Sequence, residues 1–579
     1  MPNRPVVMGL ETEFGISVQD GEVCMPDYTN YTAFELVSAI KELALFVDRG
    51  LEQIENVDEH ERAEQEAAQQ NITNWEEEWD YIRPKEKTPS PLRQRLGYSG
   101  FILETGARWY VDMGHPEYST PETTDPYTLV LAQKAGDIIA DQCRILAETD
   151  LRQRWGKPNL TIHLHRDNSD GQGHSYAGHE NYSLSPWLFD QIIYRTEQRE
   201  QARERNLLGQ RRLRLDDLFV YESTNLTNMV LKFLATRSII IGSGKVGSEE
   251  FWGPVDYQIS QRADFMMMPV GISTVYNRGI INTRNQPLAA YDNNRRFHTI
   301  CGDSNMSELS IYLKCGITAL FFKMLEDGII QNASGDLTTP LCDPVAAFRE
   351  ISRDLTLRKP VTLNDYTSTT ALETQMRYCD LAKSYVIEHS MPPVWHDVVT
   401  KWEAVLNGLN TNRFKNQWSN SLDWVVKERL LKSLQKQRNV DPTNIACRSL
   451  ALAYHDNNPE ASIYDRLLKN GKITRIVQPE EIMFMTRQAP SDTRAWFRGE
   501  MIARYPTHIL DIGWYYIIFE GGILLEMDQP LQYNQERMKP ILADNPEFPV
   551  FLQRLSKHFP ARDLFAESRT SSRSLRALW

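Results

Sequence analysis

The chain has 579 residues, 41% hydrophobic and 24% charged, which is long enough for one large domain plus a smaller one. A formal net charge of -13 argues against a general nucleic-acid binder, which needs a basic footprint, and no apolar run of about 18 residues is present to cross a membrane. Seven scattered cysteines without a C-x-x-C pair, and a start (Met1-Pro2-Asn3-Arg4-Pro5) lacking an apolar signal core, lead us to expect reduced thiols and a cytoplasmic protein.

In chain order, Val7 through Ile16 reads as a strand with Glu11 and Glu13 on one face. Neighbouring carboxylates repel unless a cation or proton lies between them, and hard oxygen donors suit a magnesium ion that also holds phosphate. Residues 32–48 have helical apolar spacing, whereas 52–80 turn polar and acidic and read as a surface segment. Pro84, Pro89 and Pro91 then mark a loop leading into the next strand. That strand, residues 107–112, turns Arg108, Tyr110 and Asp112 one way and the core residues Trp109 and Val111 the other. A cation, a phenol and a carboxylate on one face read as half of a nucleotide and metal site, with the Glu11 strand as the other half of one cradle.

Residues 126–149 read as a helix and 159–165 as a strand, followed by the glycine-rich run 170–178 and by His179, Glu180 and Asn181. A zinc cluster of His163, His165, His174 and His179 is set aside, because no H-E-x-x-H spacing supports it. The arginines of 195–214 read as a solvated insertion, or as a docking surface for an acidic partner. Ser238 through Gly247 is similar to a phosphate-cradling loop but lacks Walker spacing. A strand is expected at 279–284, and Gly302 through Glu308 supplies an N-cap and acidic first turn for an apolar helix over 306–326. Helices dominate from 345 to about 475. The last hundred residues return to strands, notably Ile512 through Phe519, and predict a small appended domain. The whole reads as an α+β enzyme whose antiparallel sheet carries the site on one face.

Six blocks in order, 9–15 (Gly-Leu-Glu-Thr-Glu-Phe-Gly), 106–120 (Gly-Ala-Arg-Trp-Tyr-Val-Asp through His-Pro-Glu-Tyr-Ser-Thr), 175–182, 280–284, 302–308 and 493–500, resemble the family of Pup ligases and depupylases. Pup is the prokaryotic ubiquitin-like protein joined to lysines by an isopeptide bond through a C-terminal glutamate. The resemblance implies a glutamine-synthetase-like (carboxylate-amine ligase) catalytic domain over 1–480, with insertions near 50–100 and 190–220, and a small domain over 481–579. It implies ATP and Mg2+, a monomer, and a Pup-like modifier with its lysine conjugates as partners. Carried over by position, it makes Glu11, Tyr110 and Glu117 the metal-site residues, Arg108, Thr120 and Trp514 the ATP contacts, and Asp112 the catalytic aspartate, as nucleophile or as base.

Asp112-Met113-Gly114-His115-Pro116 has three residues between Asp112 and Pro116, as in the depupylase, where the ligase usually carries one more. The segment Trp79 through Gly97 also resembles the depupylase loop, while Glu11 with its neighbours, Thr120 and Leu452 through Asp456 look more ligase-like. The resemblance therefore implies an ATP-dependent isopeptidase that cleaves modifier from lysine and deamidates a C-terminal glutamine of the modifier, with the ligase as runner-up. One departure stands out: after Asn-Thr-Arg the family's Asp-Glu-Pro-His is here Asn285-Gln286-Pro287-Leu288, which removes two acids and a histidine. That loss motivates a further reading, a catalytically silent binder of modified proteins. A small-molecule carboxylate-amine ligase is the remaining alternative.

Overall fold

The computed structural model describes residues 4–26, 29–43, 46–47, 100–171, 173–176, 178–194, 224–249, 252–284, 286–333, 335–559 and 561–563. The acidic segment 52–80, the proline loop with Trp79 through Gly97, the arginines of 195–214 and Asn285 lie outside the described residues. The elements that carry the argument are β1 (Met8–Glu13), β2 (Gly15–Asp20), α1 (Thr29–Ser38), β3 (Phe46–Val47), β4 (Gly100–Leu103), β5 (Arg108–Asp112), β6 (His115–Ser119), α2 (Pro126–Trp155), β7 (Leu160–His165), β8 (Gly178–Leu184), α3 (Asn225–Thr236), β9 (Arg295–Thr299), α4 (Glu308–Glu326), α5 (Arg494–Arg504), β10 (Ile509–Ile512), β11 (Tyr516–Phe519) and β12 (Ile523–Glu526). The chain divides into two compact units: Met1–Thr12, Glu122–Lys134 and His165–Met483 in the first, Glu13–Pro121, Ala135–Leu164 and Phe484–Trp579 in the second.

In the first unit β8 is the middle strand, antiparallel to β1 on one side and to β9 on the other. Its residues alternate strictly between buried and half-buried. The inward set is anchored by Glu180, whose two oxygens accept from the Arg237 guanidinium at 2.7 and 2.8 Å, both side chains being fully buried. Arg237 caps the end of α3 and also donates to Thr318 on α4, so one charge pair ties the strand to both helices. α4 starts where expected, at the Ser307 N-cap, and is buried along its length, as an apolar helix at a domain centre must be.

The glycine run 242–247 serves packing. Gly244 takes φ +77°, any side chain there would collide with the Tyr257 hydroxyl, and its carbonyl accepts from the buried Lys427 ammonium at 2.5 Å. Lys245 bonds Glu249, and residues 238–241 form one buried helical turn. The resemblance to a phosphate loop therefore reflects close backbone approach within the unit.

In the second unit β6, β5, β4 and β3 form an antiparallel run. Trp109, Tyr118 and Phe101 face a core shared with Phe14, residues of α1 and α2, and Leu160 and Ile162 of β7. The helix expected over 32–48 ends earlier, in a 3-10 turn at Ala39–Leu43, because Phe46 and Val47 pair with Leu103 and Ile102 at the sheet edge. Residues 512–519 form a hairpin rather than one strand: Gly513, Trp514 and Tyr515 turn between β10 and β11. The C-terminal residues pack around a cluster joined by Ile102 of β4, with Phe497, Ile517, Phe519, Leu525 and Phe551 completely buried.

Gly136 of α2 lies against Tyr118, the core neighbour of Glu117 on β6; a Cβ there would fall inside the Tyr118 ring. Gly136→Ala should therefore overpack this contact and lower stability by about 1–3 kcal/mol. Urea denaturation should show an earlier midpoint with an unchanged slope, whereas an unmoved midpoint would mean the ring yields freely.

Candidate active site

The geometry begins with the β5–β6 hairpin. Arg108 faces Ser119, Tyr110 faces Glu117 and Asp112 faces His115 across the pair. These six side chains share one face by strand alternation, while Trp109, Val111, Pro116 and Tyr118 share the core face. The hairpin closes in two residues, Met113 (φ +44°) and Gly114 (φ +88°), both in the left-handed region.

Glu13, at the end of β1, joins this face: the amide of Phe14 donates to the Pro116 carbonyl at 3.0 Å. One carboxylate oxygen each from Glu13, Asp112 and Glu117 then lie within 4.8 Å of one another, with Glu13 and Glu117 buried and Asp112 half-buried. The Tyr110 hydroxyl donates to Glu117 Oε1, with Ser119 Oγ 3.4 Å away. Three hard oxygens converging beside a hydroxyl fit a magnesium-type cation. Tyr110, expected at the metal, supports one of the donors.

The residues expected at the nucleotide gather toward the other end of the hairpin. Arg108 opens β5 and lays its guanidinium 4.5 Å from the centre of the Tyr110 ring. Gly100 makes room for it: a Cβ there would stand 3.0 Å from Arg108 Nε. Thr120 follows β6 directly and is buried. Trp514 sits in the β10–β11 turn, and the buried Arg498 of α5 donates to the carbonyls of both Trp514 (2.9 Å) and Gly106 (2.7 Å) while its guanidinium lies 4.9 Å from the Trp514 ring. One guanidinium thus fixes the tryptophan turn to the start of β5. Sequence reasoning singles out the block 493–500 but not Arg498 as a site residue, because a buried arginine in a helix carries no sequence sign of what it will hold.

Glu11 belongs to a second group, in the first unit. It faces His179 in the β1–β8 register; His179 Nδ1 donates to its Oε2 at 3.0 Å and Asn181 Nδ2 to its Oε1 at 2.8 Å. Asn181 Oδ1 in turn accepts from His298 Nδ1 at 2.9 Å and from Arg296 at 3.0 Å. Burial opposes the charge on Glu11, yet the His179 hydrogen bond and the nearby cations, Arg296 among them, hold its carboxyl well below the usual range. Burial lowers the His298 imidazole well below its ordinary value, against the pull of Glu11. With both Nδ1 atoms donating, the Nε2 atoms of the two rings carry the lone pairs, and Glu11, His179 and His298 can offer ligand atoms within 4.8 Å of one another.

Each of the two expected carboxylates falls in a donor group within its own unit. Asp112 and Glu117 come together with Glu13, which the expected ligand set left out, and Glu11 comes together with His179 and His298. The alternation of Arg296-Phe297-His298 on β9 was the available sign for His298. The four-histidine zinc idea is not borne out: among the described residues the only groups of three or more potential donors are these two, and His174 pairs with Asp170 instead.

The family model described as Pup-ligase protein matches residues 6–518, most of the chain. The chain belongs to the Pup-ligase family. A depupylase of Acidothermus cellulolyticus is 33% identical over 521 residues, covering 89% of this chain and 91% of its own length. A Pup deamidase/depupylase of Mycobacterium tuberculosis is 34% identical over 447 residues, 77% of this chain and 80% of its own. Among solved structures, the Pup ligase PafA in complex with ADP aligns with a TM-score of 0.63 at 27% identity, covering 81% of this chain and 93% of that one. A complex between Pup and its ligase PafA aligns over 99% of this chain and 96% of that one with a TM-score of 0.69 at 24% identity, a likeness of fold. The α+β architecture of this family member is thereby the one those structures carry.

Mn2+ titration followed by electron paramagnetic resonance tests the oxygen donor group. Glu13→Gln and Glu117→Gln should each weaken binding at least about tenfold, and Tyr110→Phe, which removes the hydrogen bond to Glu117, by about tenfold. Unchanged affinity in both glutamine variants would remove this group as a metal site.

Proposed function

We propose that this chain is an ATP- and magnesium-dependent depupylase and deamidase. It hydrolyses the isopeptide bond between the C-terminal glutamate of a Pup-like modifier and a substrate lysine, and converts a C-terminal glutamine of the modifier to glutamate. The observation that carries the reading is the hairpin itself: Asp112 sits with Glu13 and Glu117 at one end, and Arg108 with Trp514 nearby at the other. Four residue steps separate Arg108 from Asp112, about 13 Å along a strand. In this reading the base and ribose lie toward Trp514, Arg108 and Thr120 steady the phosphates, and the scissile carbonyl reaches Asp112. The two relatives named for depupylation, and the ADP held by the related ligase, support it.

The magnesium ion bound with ATP would supply positive charge beside Asp112 to stabilise the oxyanion that develops on the scissile carbonyl. Glu13 and Glu117 would hold the ion, with Tyr110 orienting Glu117; the resemblance implies a metal at Glu11 as well. Asp112 acts on the carbonyl directly or through water; either way the carbon–nitrogen bond breaks, water supplies the new oxygen, and the amine leaves with a proton. The Arg498 bridge keeps Trp514 and β5 in register.

The ligase is the specific rival, since the aligned ADP complex is a ligase. The turn favours cleavage: Asp112 pairs directly with His115, so the hairpin closes in two residues, and the longer ligase pattern would need a different loop beside the reactive aspartate. We further propose that residues 481–579 are a small domain, supported by an apolar cluster whose members all come from this segment except Ile102 of β4, and that the enzyme works as a cytoplasmic monomer, in line with its dispersed cysteines.

Incubated with Mg·ATP and a modified protein, the enzyme should release free modifier on a gel. Asp112→Asn should cut release by about 10^2- to 10^4-fold while nucleotide affinity stays nearly unchanged. Normal cleavage by that variant would overturn the role of Asp112; conjugate formation from a glutamate-ended modifier, with no release, would reverse the direction of reaction.

A further inference from the structure

Met113 has no structural reason to be methionine. It occupies the first position of the two-residue turn between β5 and β6 at φ +44°, a conformation that glycine and asparagine adopt readily and a long side chain rarely does. Burial does not explain it either, since its side chain is 69% exposed. Neither the turn nor the core selects this residue. Its place is nevertheless special: it follows Asp112 directly, so an exposed, flexible thioether stands at the tip of the hairpin that carries the Glu13, Asp112 and Glu117 oxygens.

We propose that Met113 is a specificity-determining residue that packs on the aliphatic stem of the substrate lysine as its isopeptide bond reaches Asp112. This rests on the depupylase reading above. The chemistry fits: a lysine stem is four methylenes long, arrives from proteins of many shapes, and must lose water beside a charged centre. An unbranched thioether adapts to such varied apolar surroundings better than a branched side chain does. A glutamine-ended modifier offers the same carbonyl but has ammonia as its leaving group, with no stem to hold. The two reactions therefore share Asp112 and differ at Met113.

The ratio of the two reactions tests this with full-length enzyme and Mg·ATP. Met113→Asn places a turn-favoured polar residue at the tip, and should raise KM for a lysine conjugate about four- to fifteenfold, the effect of returning one or two methylene groups of the stem to water. The deamidation to cleavage ratio should rise by the same factor, and Met113→Leu should restore it. Thermal unfolding should occur no earlier for Met113→Asn than for the wild type. An unaltered ratio would overturn the proposal, as would an equal fall of both reactions, which would assign Met113 to the modifier or to the fold. If the wild type performs neither reaction, the depupylase reading fails on that control, separately from Met113.

Discussion

The constraint on which this site depends is the repulsion among Glu13, Asp112 and Glu117. Two ionised carboxylates about 4.8 Å apart repel by about 3–4 kcal/mol at an effective dielectric near 20, and one oxygen from each of these three lies within that distance of the others. What opposes them is the other side of the same two strands. Trp109 and Tyr118 are wholly buried and interlocked with α1 and α2, so the backbone beneath the carboxylates is fixed by apolar packing. Alternation with a period of two converts that rigidity into a polar array of oxygens whose chemistry fits a divalent cation. The core face and the reactive face are thus two consequences of a single register.

That register explains why much of the site was legible. Arg108, Tyr110 and Asp112 could be set on one face from sequence alone, since strand alternation is local and needs no knowledge of neighbours. The Ser307 cap of α4, the α2 helix and the strand at 160–165 were legible for the same reason, being written within a few residues of themselves. What could not be read was which strand faces which. Glu11 and Glu13 look equivalent on paper, yet the pairing of β1 with β8 gives Glu11 to His179 and Asn181, and the Phe14 to Pro116 hydrogen bond brings Glu13 to β6.

Local patterns have other causes where packing decides. The glycines of 242–247 imitate a phosphate loop because close approach to Tyr257 and Lys427 demands the same backbone freedom as close approach to a phosphate. The run 512–519 is β-prone throughout, but Gly513 lets the chain reverse, and the reversal presents Trp514 in a turn that Arg498 can hold. Propensity could not supply that, because the deciding contact joins residues nearly four hundred positions apart, Arg498 and Gly106.

The two donor groups differ in how the protein answers their charge. Glu11 receives hydrogen bonds from His179 and Asn181 and lies 3.4 Å from the Arg296 guanidinium, so neighbours within the first unit answer its charge. A cation binding there would have to displace or share Arg296, whose Nε is meanwhile tied to the carbonyl of Gln286 at 2.7 Å. Gln286 is an amide where the resemblance drawn from the sequence leads one to expect an acid. An acid there would give Arg296 a charged partner away from Glu11; the amide gives it only neutral ones, with Gln286 Oε1 3.5 Å from Arg296. With neutral partners at Gln286, the Arg296 guanidinium keeps Glu11, 3.4 Å away, as its acidic neighbour.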